Sequence, residues 1–360
     1  MNAPVARPGI MDISPYVGGE SALPGVTRVI KLASNEGALG PSPRAMDAYR
    51  ATAADLHRYP DGGASKLRQA IAARYGLDAD RIVCGAGSDE LLGLLCRAYA
   101  GPGDEVLYTK HGFLMYPIAA KTAGATPVAA DETNLTTDVD KLLAAVTERT
   151  TIVFVANPNN PTGTYIPAEE MKRLRAGLPD KVLLVIDAAY AEFVDRNDYT
   201  PGIELVDAGT NTVMTRTFSK IHALGGLRLG WAYCPPNIAD VLHRVRNPFN
   251  VSNAAQAAGL AAIEDTGFTA LCKAHNDHWL GWLSDEVTKL GLTVVPSVCN
   301  FILVRFGDDG RARRADAFLR AKGIIVRAMG GYGLPDGLRI TVGRDDENQA
   351  LIDALREFVG

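Results

Sequence analysis

Between residues 80 and 235 the chain alternates short apolar runs with longer segments whose apolar residues recur every three or four positions. The runs are RIVCGAG, DEVLYT, TTIVFVA, KVLLVID, TVMTRTFS and GWAYC. TTIVFVA and KVLLVID are almost continuously apolar, the pattern of strands covered on both faces. SDELLGLLCRAYA and FLMYPIAAKTAG, between runs, carry helical spacing. This alternation predicts an α/β fold: a mainly parallel sheet flanked by helices. Upstream, SNEGALGPSP is a turn-rich loop before a helix over RAMDAYRATAADL, and RYPDGG a loop before a second helix. Past residue 250 the pattern changes. A long helical region, Ala254 to Leu290, leads to TVVPS, NFILVRF, a helix near RRADAFLRAKG, then IIVR, GLRITVG and a last helix. The expected organisation is an N-terminal arm (1–35), a large α/β domain (36–253) and a smaller α+β C-terminal domain (254–360).

Composition narrows the function classes. The 360 residues are 47% hydrophobic and 22% charged, with a net charge of −4 and no basic block. That is the profile of a soluble globular protein and argues against nucleic acid as a partner. No apolar run reaches the ~18 residues that cross a bilayer, and the first residues lack the apolar core of a secretory signal. Cys84, Cys96, Cys234, Cys272 and Cys299 are odd in number and form no C-x-x-C pair. Buried thiols in a reduced, cytoplasmic protein are expected. The six histidines show no H-E-x-x-H spacing, so no zinc site is expected.

In an open parallel sheet, ligands bind beyond the carboxyl ends of the strands, so the residues there carry the chemistry. GAGSDE (85–90) places glycines before a helix that starts at Ser88, where backbone N–H groups and the helix dipole suit a phosphate. NPNNPTG (157–163) follows TIVFVA and has the composition of any tight turn. Asp187 ends a strand so apolar that its carboxylate needs a donor or a cation, and Tyr190 follows within one turn. TFSK brings Ser219 and Lys220 to another strand end. Lys220 sits among small apolar residues, where desolvation lowers an amine's pKa and makes it a nucleophile. Arg228 is the next charge after it. Pyridoxal 5′-phosphate (PLP) uses this whole set: an amine for its aldehyde, an acid for its ring nitrogen, donors for its 3′-oxygen, and a helix end with an arginine for its phosphate.

SNEGALGPSP, RYPDGG, GAGSDE, HGFLMYP, NPNNPTG, IDAAYAEF, TFSKIHALGGLRLGW and GLRITVG occur in this order along nearly the whole chain. In that order they resemble the fold-type I aminotransferases, and within them the histidinol-phosphate aminotransferase family. The resemblance implies a two-domain subunit whose large domain binds PLP, and a homodimer with active sites at the subunit boundary. It makes Lys220 the residue bonded to the PLP aldehyde and the proton carrier. Asp187 is then the partner of the ring nitrogen, and Tyr190 and Asn160 are donors to the 3′-oxygen. Phe113 stacks on the ring, while the backbone of Ser88 and Asp89, with Ser219 and Arg228, holds the phosphate. Tyr59 reaches the phosphate of the neighbouring subunit's cofactor. Arg339 grips the substrate carboxylate, and Tyr16, Asn35 and Arg327 complete the substrate pocket.

The implied reaction moves the amino group of L-histidinol phosphate to 2-oxoglutarate, giving imidazole acetol phosphate and glutamate in histidine biosynthesis. Transamination of phenylalanine and tyrosine, and decarboxylation of threonine phosphate, are the alternatives on the same scaffold. A cofactor-sensing regulatory domain is disfavoured, since only a short arm lies outside the main domains. The chain departs from the family's commonest pattern at SNEG, GAG and PYVGG. These loops lie mostly on the substrate side, which leaves substrate breadth open.

Overall fold

The computed structural model describes residues 3–16, 18–20, 22–25 and 28–360. Met1, Asn2, Val17, Ser21, Val26 and Thr27, all within the expected arm, lie outside the described residues. The first strand, β1 (Ile30–Lys31), is itself part of that stretch. Then come β2 (Ile82–Gly85), β3 (Glu105–Thr109), β4 (Thr126–Ala130), β5 (Thr150–Ala156), β6 (Leu183–Asp187), β7 (Thr212–Thr217) and β8 (Gly230–Tyr233). These seven form one sheet in the order β2-β8-β7-β6-β5-β3-β4. Pairs from β7 to β4 are parallel, and β8 runs antiparallel to both neighbours. The sheet is thus mainly parallel, as expected.

The most apolar runs take central places. Ile152, Val153, Phe154 and Val155 of β5, and Leu184, Val185 and Ile186 of β6, are fully buried. Such strands need helices on both faces, and separate apolar clusters cover the two faces of the sheet. β4 (TPVAA) was not anticipated from its sequence. It is short and carries Pro127, but it lies at the sheet edge, where one side of the strand needs no partner.

The remaining strands are β9 (Thr293–Val295), β10 (Phe301–Arg305), β11 (Ile324–Ile325), β12 (Arg327–Ala328) and β13 (Gly337–Thr341). A four-stranded sheet runs β12-β13-β10-β9, all antiparallel, while β11 pairs in parallel with β1. The single run IIVR is therefore two strands in two sheets. Its first half ties residues 30–31 to the C-terminal core, where Ile30 and Leu32 are buried against Ile324 and Val326. The helical region expected over 254–290 is two helices, Asn253–Glu264 and Thr266–Lys289. The break falls at Asp265, whose side chain accepts from Phe268 N–H and so caps the second helix. Ala255, Ala258 and Ala262 of the first helix pack with Leu67, from the helix Ser65–Tyr75, and with Trp231 on the large sheet.

All five cysteines are free, four buried and Cys272 partly so. Among the described residues no helix is long and apolar enough to cross a membrane.

Candidate active site

The registers of the large sheet assemble the site. Gly85 pairs with Gly230, Gly230 with Thr217, and Asp187 with both Ala156 and Thr215. The ends of β2, β5, β6 and β7 therefore open on one side, beneath a cavity of about 270 Å³. Lining it are Ser88, Asp89, Phe113, Asn160, Asp187, Tyr190, Ser219, Lys220 and Arg228. Tyr16 and Asn35 from the N-terminal segment, and Arg327 and Arg339 from the four-stranded sheet, close the other side.

At one end the helix Ser88–Tyr99 points its N-terminus into the cavity, and no side chain caps it. Gly87 precedes it with φ +86, a conformation that favours glycine. A Cβ there would stand 2.2 Å from the Arg228 Nη2 atom. A Cβ on Gly230 would meet the Ser88 backbone nitrogen at 2.3 Å, so this glycine lets β8 start directly under the helix. Arg228 is itself left-handed (φ +51), at the close of the tight turn Gly225–Leu227. Its guanidinium donates to Gly225 O (3.0 Å), Asp89 (3.2 Å) and Ser219 Oγ (3.4 Å). Arginine, serine and helix end thus converge as an anion cradle.

Lys220 lies three residues past the end of β7, with its side chain partly buried at the cavity wall. Its ammonium donates to Ser34 O at 3.3 Å and sits 5.6 Å from the Tyr190 ring centroid. Burial, and next the charge of Arg339, pull this amine down to about 8. Asp187 is 5% exposed. Burial pushes its carboxyl up to about 6, against the opposing effect of hydrogen bonds from Tyr116 and Thr215.

Hydrogen-bond accounting identifies which asparagine of NPNNPTG can act. Asn157 spends its amide on the backbone of Ile166, and Asn159 donates to His111 O and Thr162 Oγ1. Asn160 faces the cavity, and its Oδ1 accepts from Arg339. Tyr190 Oη accepts from Asn35 Nδ2 at 2.8 Å, and Asn35 is locked by exchange with Thr341. Asn35, expected as a substrate contact, is thus fully buried and also orients Tyr190.

Arg339 and Arg327 stand directly opposite each other on β13 and β12. Like charges at facing positions are destabilising, so the pair makes chemical sense around an anion. Arg339 also donates to Ala33 O (2.9 Å), yet its buried Nε has no partner among the described residues. Arg327 donates to Gly18 O at 2.7 Å, which holds the N-terminal segment beside the cavity.

One expected residue is not at this cavity. Tyr59 is 82% exposed and stacks on Phe249, with ring centroids 4.7 Å apart. Its phenol could meet a cofactor only across a subunit boundary. One residue was missed: Tyr116, in HGFLMYP, is fully buried and donates to Asp187 Oδ2 at 2.9 Å. Its place three residues after Phe113, within the segment FLMYPIAAKTAG expected as a helix, was the available signal.

The residues present fit PLP: an uncapped helix end with an arginine, a buried acid and a desolvated lysine line one cavity. The orphaned arginine donor beside the lysine fits an anionic substrate.

Comparison with known proteins agrees. The family described as aminotransferase class I and II matches residues 27–355. Among curated proteins, the histidinol-phosphate aminotransferase of Paramagnetospirillum magneticum is 72% identical over 362 residues, covering 100% of both chains. That of Rhodospirillum centenum is 63% identical, covering 100% of this chain and 99% of its own. Among solved structures, the histidinol-phosphate aminotransferase of Sinorhizobium meliloti in complex with pyridoxal-5′-phosphate superposes with a TM-score of 0.88. It is 31% identical and covers 92% of this chain and 91% of that one. The chain therefore belongs to the histidinol-phosphate aminotransferase family, within the class I and II aminotransferases.

Proposed function

We propose that this protein is a PLP-dependent transaminase that moves the amino group of L-histidinol phosphate to 2-oxoglutarate, a step of histidine biosynthesis. The observation that carries the substrate reading is the facing pair Arg327 and Arg339 in a cavity that also holds Lys220. Histidinol phosphate brings a phosphate and no α-carboxylate, whereas glutamate brings two carboxylates. A pair of planar guanidinium groups suits both, because each makes parallel bonds to either anion. Tyr16, half exposed at the rim, closes this end.

PLP, when bound, supplies an aldehyde for the lysine amine and a protonated ring that draws electrons from the substrate carbon. The side chains do the rest. Asp187 would pair the ring nitrogen with its carboxylate. Tyr190, already accepting from Asn35, has its O–H to give the 3′-oxygen, and Asn160, accepting from Arg339, has its Nδ2 to give. Phe113 flanks the ring. Lys220, with its amine near 8, is substantially neutral at mild alkaline pH. Its Nζ can take the proton from the substrate carbon that bears nitrogen and hold it for return. The backbone N–H groups of Ser88 and Asp89, with Ser219 and Arg228, would hold the phosphate. For Gly87→Ala the expected result is a PLP dissociation constant higher by roughly ten-fold or more, since the added methyl displaces Arg228 and a charged hydrogen bond is worth about 1.5–3 kcal/mol. Equilibrium dialysis against PLP measures it.

The proposed assembly is a homodimer, in which the exposed Leu56, Tyr59 and Phe249 meet a second copy and Tyr59 reaches that copy's phosphate site. The cytoplasm is the proposed location, consistent with five free thiols.

The test is a panel of amino donors with 2-oxoglutarate: histidinol phosphate, phenylalanine, tyrosine and threonine phosphate. Glutamate formation fastest with histidinol phosphate is expected. Turnover of phenylalanine without histidinol phosphate would overturn the substrate while keeping the transaminase. Carbon dioxide from threonine phosphate would point to the decarboxylase.

A further inference from the structure

Tyr116 takes no part in the reading above, yet it touches two of its components. Its ring is fully buried in the helix Met115–Ala123 and lies stacked on Phe154, with centroids 4.7 Å apart and planes within 4°. A second contact is edge-on to Phe113, at 5.9 Å and 90°. Its hydroxyl donates to Asp187 Oδ2 at 2.9 Å. The opposite carboxylate oxygen, Oδ1, accepts from Thr215 Oγ1 at a longer 3.4 Å. The phenol is therefore the short side-chain hydrogen bond that this carboxylate receives.

We propose that Tyr116 is a positioning residue that holds the Asp187 carboxylate ionised and aimed at the cofactor ring while bracing the Phe113 ring that covers it. The assignment rests on the proposed role of Asp187 toward PLP; the contacts themselves do not.

Physical reasoning gives the direction of its effect. A buried carboxylate resists ionisation, and a donor that favours the charged form offsets this. The other groups acting on Asp187 do not replace it. Asp89, across the cavity, raises the Asp187 pKa, and the Ala189 backbone N–H lowers it only as a minor contributor. The phenol of Tyr190 lies close enough to Tyr116 to act on it as well. The phenol of Tyr116 is itself held well above its ordinary value by burial, and then by Asp187. It therefore remains a donor throughout the working range of pH. Phe154 and Phe113 fix the ring from two sides, so the hydroxyl cannot swing away from Oδ2 without breaking both contacts.

The decisive variant is Tyr116→Phe, which keeps the ring and both aromatic contacts. The first measurement uses the full chain freed of PLP, unfolded thermally or in denaturant between pH 5 and pH 8. Asp187 has a folded pKa near 6, above its ordinary 3.8. Its contribution to stability is thus present at low pH and lost as pH rises through 6. Removing the phenol lifts the folded value further. The loss at pH 8 should then exceed that at pH 5, where the carboxyl is mostly protonated in both proteins. The second measurement uses the PLP-loaded enzyme. A kcat lowered about 10- to 100-fold is expected, the range set by one hydrogen bond to a charged group. KM should stay within about two-fold, because Tyr116 does not line the cavity.

A stability loss of the same size at pH 5 and pH 8 would overturn the proposal, leaving Tyr116 as packing alone. An unchanged kcat would do the same for its role toward the ring. Asp187→Asn combined with Tyr116→Phe should cost little more than Asp187→Asn alone, whereas additive losses would separate the two residues. Should wild-type protein fail to take up PLP, the reading of the site falls instead, and the pH-dependent stability arm still decides the Tyr116 contact.

Discussion

Lys220→Ala is expected to lower transamination by about four orders of magnitude or more, since it removes both the covalent attachment and a proton carrier, the latter alone worth roughly 10²–10⁴. The folded state should survive. Among the described residues the Lys220 amine makes a single hydrogen bond, at 3.3 Å to Ser34 O, and no ion pair. PLP should still bind, more weakly, because the helix end at Ser88, Arg228 and Asp187 remain. Two readouts separate this from general damage. Borohydride treatment of the wild type, followed by digestion and mass spectrometry, should tag the peptide carrying residue 220. The variant should show no tag there and no visible absorbance of lysine-linked cofactor. A tag on another lysine of the wild type would remove the basis of the proposed mechanism. The reason for choosing Lys220 is the solvent it lacks: burial brings the amine down to about 8, within reach of neutral reactivity, whereas an exposed lysine stays protonated.

Asp187→Asn has the next largest effect. Breaking a buried ionic partnership costs about 3–5 kcal/mol, so a fall in kcat on the order of 10²–10⁴ is expected with little change in fold. The same substitution should have the opposite effect on stability without cofactor. The carboxyl has a folded value near 6 and an ordinary value of 3.8. The folded state therefore binds the extra proton between these values, and this group's stabilisation is lost as pH rises through 6. The cofactor-free Asn variant should consequently be more stable than the wild type at pH 8, with the difference shrinking toward pH 4. Denaturant unfolding at both pH values checks it. A variant less stable at pH 8 than at pH 4, relative to wild type, would mean that the carboxylate has a structural cation and not an absent ring as its partner. Activity lost and stability gained at one position is the signature of a site built for a ligand.

The amino-acid sequence by itself determined the layered α/β class, most strands of the large sheet, and the strand-end residues Ser88, Asp187, Ser219 and Lys220. These were legible because they depend on local rules. An apolar run must be buried, a polar residue at its end needs a partner, and glycine before a helix exposes backbone donors. The order of motifs added Phe113, Asn160, Arg327 and Arg339. What only the tertiary structure decided are relations between segments far apart in the chain. Antiparallel insertion of β8 between β2 and β7 brings Gly230 under Ser88. The division of IIVR between two sheets ties one half to Ile30–Lys31 and turns Arg327 to face Arg339. The reason Asn157 and Asn159 are unavailable, their amides already bonded while Asn160 faces the cavity, is visible only in the fold. Tyr116 meets Asp187 across 71 residues of sequence. No periodicity encodes such pairings, because register and hydrogen-bond partners are set by how whole elements pack, and each depends on the rest of the core being in place.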